Sequence, residues 1–262
     1  PKCAETKYVE ARTYSGVPTT GPISPATQRE LIHGYLACVS YVDAQIGRLI
    51  AKLKETGMQE DTIILLWGDH GFHLGDKQLW GKHTNYEQST RTPLIIASPD
   101  LPGAGINRSP VNLIDIFPTL CELTDLEPPT GTEGKSLAPI LQHSRDSVNE
   151  FAATIFPHDK HWGVAIRTER YRYIAWYKGV MSKKRSGARL KQKPQFTELY
   201  DYHSDPLEQT NLSGNPSYKE IEEKLAKMNR AHVAATQNRQ FSSKYQRTPA
   251  NLPNYSLVQR SS

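Results

Sequence analysis

Asp69 and His70 stand side by side at the end of an apolar run, Thr62-Ile63-Ile64-Leu65-Leu66-Trp67-Gly68, and Lys82 follows from a loop able to fold back on them. A carboxylate suits a hard divalent cation, and an imidazole is the next ligand type beside it. An ammonium group suits an anion. Together the three could hold an anionic group between a metal ion and a lysine. An Asp-His pair after a strand is also what a turn or a helix cap looks like. The frame of Gly68, Gly71 and Gly75 moves the reading toward a site, because glycines let a backbone bend tightly and approach a ligand closely.

Such a trio needs rigid support. The run from Thr62 to Leu66 reads as a strand buried on both faces. Ligand sites in open α/β sheets lie just beyond the carboxyl ends of strands. Upstream, Ser24-Pro25 is a helix start, a serine cap followed by a first-turn proline. Leu31, Tyr35, Cys38, Val42, Ile46, Leu49 and Leu53 then recur as one apolar stripe, and Gly57 closes the helix as a left-handed cap. His33 and Asp43 on this helix read as packing or surface residues. Downstream, Pro93 to Ala97 reads as a second strand. This order, with long connections, predicts an α/β fold with a mixed, mainly parallel sheet flanked by helices. Asn112 caps a short helix through Leu113, Ile116, Leu120 and Leu123, and Leu137 to Leu141 is a brief apolar turn.

From Phe151 the texture changes. Val164 to Thr168 and Tyr171 to Trp176 read as strands around a Glu169-Arg170 turn, and Glu198 to Asp201 as a third. Ser217 to His232 is a charged amphipathic helix, and the tail after Phe241 is polar. The expected division is residues 1–150, holding the sheet and the candidate site, and 151–262, a smaller subdomain.

The chain has 262 residues and a net charge of +5. That balance suits a polyanion, either nucleic acid or an acidic polysaccharide. No base-stacking platform or nucleic-acid module is legible, so nucleic acid is not expected as a partner. No apolar run is long enough for a membrane span, so a membrane is not expected either. The cluster of Lys183, Lys184, Arg185, Arg189, Lys191 and Lys193 is either a solvated loop or an anion contact. Cys3, Cys38 and Cys121 are odd in number and match no zinc spacing; Cys38 and Cys121 are expected in the core. The sequence opens on Pro1 without an initiator methionine, so a processed chain or a fragment is expected.

The stretches Gly68-Asp69-His70-Gly71-Phe72-His73-Leu74-Gly75, Trp80-Gly81-Lys82 and Thr90-Arg91-Thr92-Pro93-Leu94-Ile95-Ile96 resemble the second half of the type I sulfatases of the alkaline phosphatase superfamily. The likeness is greatest to the iduronate-2-sulfatase branch and its bacterial relatives. Phe117-Pro118-Thr119-Leu120 and the turn from Asp205-Pro206 to Asn211-Leu212 follow the same pattern. The resemblance implies a portion of the sulfatase α/β core with a small antiparallel carboxy-terminal sheet and helix. It implies Ca2+ at Asp69, with another divalent cation as the alternative. It makes His70 either a second ligand or a ring N–H donor to the nucleophile or a sulfate oxygen. It gives Lys82 a sulfate oxygen and the bridging oxygen, offsetting charge on the leaving alcohol. Phe72 and His83 would line a sugar pocket, since such rings pack on pyranose faces. His73 would line it or stand behind it, and Arg91 would anchor the loop.

Two family features are not found in this sequence. One is the amino-terminal Asp-Asp metal pair. The other is Cys-x-Pro-Ser-Arg, whose cysteine becomes the formylglycine nucleophile; none of the three cysteines has that context. The chain alone is therefore expected to be inactive and to complete its site with the amino-terminal half of the same protein. The expected substrate is a sulfated carbohydrate of glycosaminoglycan type, 2-O-sulfated iduronate among the candidates. Export to a periplasm, the exterior or a lysosome comes with the resemblance. Two other readings stand beside it: a metal-dependent phosphodiesterase of the same superfamily, and a non-catalytic polysaccharide-binding module.

Overall fold

Ser24 begins the longest element. Its hydroxyl accepts the Thr27 N–H, and helix α1 runs Pro25–Glu55; Gly57, at φ +69°, ends it. In this computed structural model, which describes residues 10–101, 105–158, 160–181, 188–190 and 193–238, no residue of α1 is buried. Leu36, Val39, Val42 and Leu49 are all more than half exposed. Of the predicted stripe, Tyr35, Cys38, Val42 and Leu49 are exposed, whereas Leu31, Ile46 and Leu53 are half-buried. The exposure of Cys38 is contrary to expectation, whereas Cys121 is buried.

Strand β1 (Ile64–Trp67) pairs with a later strand, Leu94–Ala97. The two run antiparallel, with Leu65 opposite Ile96 and Trp67 opposite Leu94. The α/β class holds. Every strand pairing among the described residues is antiparallel, which differs from the mainly parallel order expected. Helix-then-strand spacing does not by itself fix pairing direction. Nor is β1 buried on both faces: its residues are half-buried and Trp67 is 52% exposed.

Between these strands lies the site loop. It holds a short ladder, β2 (His73–Leu74) against β3 (Trp80–Gly81), and one helical turn, α2 (Glu87–Thr90). The partner of β1 is β4 in chain order. After it come α3 (Ile116–Leu123) and α4 (Ala138–Leu141). Asp115 is buried at the head of α3 and accepts from the Asn112 N–H, the Lys135 N–H and Asn149. This places the predicted Asn112 boundary where the helix starts.

The carboxy-terminal sheet comprises β5 (Ala152–His158), β6 (His161–Arg167), β7 (Tyr171–Met181), β8 (Ala188–Leu190) and β9 (Phe196–Asp201). Alternation sorts its side chains to two faces. Val164, Ile166, Tyr173, Ala175, Tyr177 and Leu199 pack with Leu225 and Val233 of helix α5 (Lys219–Asn238). Ala165, Ile174, Trp176 and Tyr200 face the other way and pack against Tyr86 beside the site loop. Helix α5 begins close to where the charged periodicity put it. Lys183, Lys184, Arg185, Lys191, Cys3 and the tail beyond residue 238 lie outside the described residues.

Candidate functional site

The loop that leaves β1 turns back at once. The Gly68 N–H donates to the Pro93 carbonyl at 3.2 Å and the Gly71 N–H to the Ser89 carbonyl at 2.8 Å. Gly71 admits no side chain: a Cβ there would sit 2.1 Å from the Gln88 carbonyl oxygen. That approach seats the loop on α2.

Asp69 and His70 project outward between these contacts. The Asp69 side chain is 84% exposed and that of His70 37%. Asp69 Oδ1 accepts the His70 N–H at 2.9 Å, which fixes the carboxylate. His70 Nδ1 lies 2.9 Å from the Gly71 carbonyl oxygen. A carbonyl only accepts, so Nδ1 carries the proton. Nε2 then faces Asp69 Oδ2 at 3.4 Å. A proton on Nε2, or a cation held between the two atoms, would satisfy both. A hydrogen bond on one ring nitrogen that aims the other at a metal is the usual supporting arrangement for a histidine ligand.

Asp69 fits a hard cation as one oxygen donor. Calcium takes six to eight, and among the described residues no group of three or more His, Cys, Asp or Glu could hold a metal ion. The pair therefore fits a metal as part of a larger ligand set.

The β2–β3 ladder brings Lys82 back. Gly81 lies opposite His73, which limits the His70–Gly81 Cα separation to about 16 Å along this path. Lys82 is half-buried, and its Nζ lies 3.5 Å from Glu10 Oε1. Glu10 carried no signal in the sequence, because it reaches Lys82 through folding rather than through a motif.

His73 is fully buried. Its Nε2 lies 2.9 Å from Thr84 Oγ1, which in turn lies 2.8 Å from Ser89 Oγ. Burial pushes its pKa down from 6.5 to about 4, with Asp76 opposing and Lys77 reinforcing the shift, so the ring is neutral. Of the two roles expected of it, this position fits the supporting one: the buried ring bonds Thr84 on the turn after Lys82. Phe72 is half-buried and packs against Tyr35 of α1, ring centroids 5.9 Å apart. His83 is exposed on the turn itself.

The loop is anchored from behind; Arg91, expected to hold it, is exposed. Arg172 of β7 is 1% exposed and reaches Glu87 at 2.5 Å, Glu208 at 2.7 Å and the Asn85 carbonyl at 2.7 Å. Arg167 adds a second bond to Glu87 at 3.1 Å. Burial raises the pKa of Glu87, but the two arginines outweigh it and hold the carboxyl below its usual range. Lys77 donates to the Glu208 carbonyl and sits over the Tyr86 ring, 4.9 Å from its centroid. Buried Glu198 accepts from Tyr86, Tyr200 and Trp176. Elsewhere, an open groove of about 360 Å³ is lined by Asn107, Arg108, Asp146, Glu150 and Glu169 and includes none of the predicted site residues.

A family model described as Sulfatase matches residues 5–126, and one described as N-sulphoglucosamine sulphohydrolase, C-terminal, matches residues 75–234. A protein of Formosa agariphila named Sulfatase is 34% identical over 206 residues, covering 76% of this chain and 37% of that protein. Human iduronate 2-sulfatase is 28% identical, over 73% of this chain and 46% of that one. Among solved structures, the phosphonate monoester hydrolase SpPMH of Silicibacter pomeroyi superposes with a TM-score of 0.71 at 25% identity, covering 91% of this chain and 47% of that one. The chain thus spans less than half the length of these proteins.

Proposed function

The chain belongs to the sulfatase family, and from that premise we propose that it is the carboxy-terminal portion of a hydrolase of sugar sulfate esters, inactive until an amino-terminal portion completes its site. The observation that carries this is the convergence of His70 Nε2 and Asp69 Oδ2 on a glycine-framed loop whose ladder returns Lys82. The exposed apolar faces of α1 and β1 support the second clause, since surface of that kind marks an interaction site.

Asp69, with His70 beside it, would hold Ca2+ or another divalent cation together with ligands from the amino-terminal portion. When bound, the metal supplies positive charge to the sulfate oxygens. Lys82 presents its ammonium to a sulfate oxygen and to the bridging oxygen. As the S–O bond breaks, charge grows on that bridging oxygen, and Lys82 offsets it and can deliver a proton to the departing alcohol. His73, Thr84 and Ser89 hold the turn that sets Lys82. The nucleophile, a formylglycine by family resemblance, would belong to the amino-terminal portion. The likeness to iduronate 2-sulfatase favours a glycosaminoglycan-type substrate, with His83 and Phe72 toward the sugar.

The likeness to a phosphonate hydrolase keeps a second reading in view, a phosphoester substrate for the same site. The test measures sulfate release from a sulfated disaccharide and product release from a phosphodiester, by the chain alone and by the chain co-expressed with its amino-terminal portion. Sulfate release only by the co-expressed pair is the expected result. Release by the chain alone, or faster phosphodiester cleavage by the pair, would overturn it.

A further inference from the structure

Lys82 has three N–H donors and no acceptor. The proposed role uses two of them, one on a sulfate oxygen and one on the bridging oxygen. The third has a partner in the fold: Glu10 Oε1, 3.5 Å from Nζ.

The segment that carries Glu10 is built to sit there. Residues Glu10–Thr13 form a helical turn. Thr13 bonds back to the Glu10 carbonyl, and Arg12 donates to the Pro18 and Gly21 carbonyls, closing residues 10–21 into a compact strap. Ala11, Val17 and Ile23 then pack with Trp80 of β3, where all four are buried. Gly81 lies directly under the strap. A Cβ there would be in van der Waals contact with the Cβ of Glu10, at 3.4 Å, and its φ of +150° disfavours any residue with a side chain.

The carboxylate is enclosed. The Glu10 side chain is 20% exposed and Oε2 is buried with no hydrogen-bond donor among the described residues. Lys82 is the cation in its ion pair. A carboxylate removed from water in this way is oriented by Lys82, its charged partner among the described residues, and it orients that partner in return. Lysine has a flexible four-carbon stem that otherwise samples many rotamers.

Resting on the sulfatase reading for the identity of the anion, we infer that Glu10 is the positioning residue for Lys82: it takes one ammonium N–H and thereby turns the other two toward the sulfate oxygen and the leaving-group oxygen. A contact that ordered Lys82 only against solvent would not depend on what leaves. This one does, because the leaving-group oxygen needs the aimed N–H in proportion to the charge it develops.

The test has two arms. In the 262-residue chain, acylation of lysines by an activated ester is mapped by peptide mass spectrometry in the wild type and Glu10→Gln. Lys82 labelling is expected to rise about threefold, within the range of a partly exposed ion pair. Lys77, held by Glu208 and Tyr86, is the internal control and is expected to stay constant. In the co-expressed pair, Glu10→Gln is expected to lower kcat about tenfold on a sugar sulfate, whose alkoxide leaves poorly, and less than twofold on a nitrophenyl sulfate, with Glu10→Asp intermediate. Unchanged Lys82 labelling, or equal losses on both esters, would overturn the inference. If the wild-type pair hydrolyses neither ester, the sulfatase reading falls, while the labelling arm still decides whether Glu10 holds Lys82.

Discussion

The carboxy-terminal sheet and the α1–β1 region are both rich in apolar residues, yet only the sheet buries them. Val164, Ile166, Ile174, Ala175, Trp176 and Leu199 are each at most 1% exposed, covered by α5 on one face and by the Tyr86 segment on the other. Leu49 of α1 is 68% exposed and Ile95 of β4 57%. Burial of such side chains stabilises by about 1.5–3 kcal/mol each, so the sheet holds itself together and α1 leaves that gain unrealised. The candidate site lies at the seam. Its loop is fastened backward to the self-sufficient sheet, while Asp69 and His70 point into the open.

The contrast can be broken first at the fastening. Arg172→Ala leaves buried Glu208 without its cation and Glu87 with Arg167 alone, and loss of one partner from such a network costs about 3–5 kcal/mol. A fall of that size in urea stability is expected; a loss below about 1 kcal/mol would mean that the Arg172 network does not fasten the loop to the sheet. Leu225→Ala opens a cavity under the sheet and is expected to cost about 2–4 kcal/mol by the same measurement.

At the seam itself, His73 has a folded pKa of about 4 against 6.5. Because the neutral form is the one that folds, its contribution is fully present above pH 6.5 and is lost as pH falls toward 4. Stability of the wild type is therefore expected to drop by about 2–3 kcal/mol more than that of His73→Gln between pH 7 and 4.5. Parallel pH profiles would contradict this. The smallest effect belongs to the open face. Leu49→Ala is expected to change the stability of the chain by less than about 0.5 kcal/mol, yet to weaken capture of the amino-terminal portion about tenfold or more. A large loss in the isolated chain would show that α1 is already packed.

Much of this was legible in the residues. Ser24-Pro25 and Gly57 bound α1 where local capping chemistry said they would. The strands on either side of Glu169-Arg170 follow from short apolar, β-branched and aromatic runs bounded by a polar turn, and the glycine frame identified the loop. What was not legible is long-range. The Arg172–Glu87–Glu208 network joins residues distant in sequence, and no local pattern distinguishes a buried arginine in a strand from a surface one. The ion pair of Glu10 with Lys82 depends on how the strap folds over Gly81. The direction of pairing between β1 and β4 is equally a tertiary fact. Exposure of the α1 stripe was hidden for another reason: periodicity tells which face is apolar, not what covers it.

The central claim is that Asp69 and Lys82 act on one sulfate ester within a composite site. Its most direct test is the rate of sulfate release by the co-expressed pair carrying Asp69→Ala or Lys82→Ala, each checked for an unchanged urea midpoint. Losses of about 10²-fold or more are expected for both variants. Activity within twofold of the wild type for either one would contradict the account.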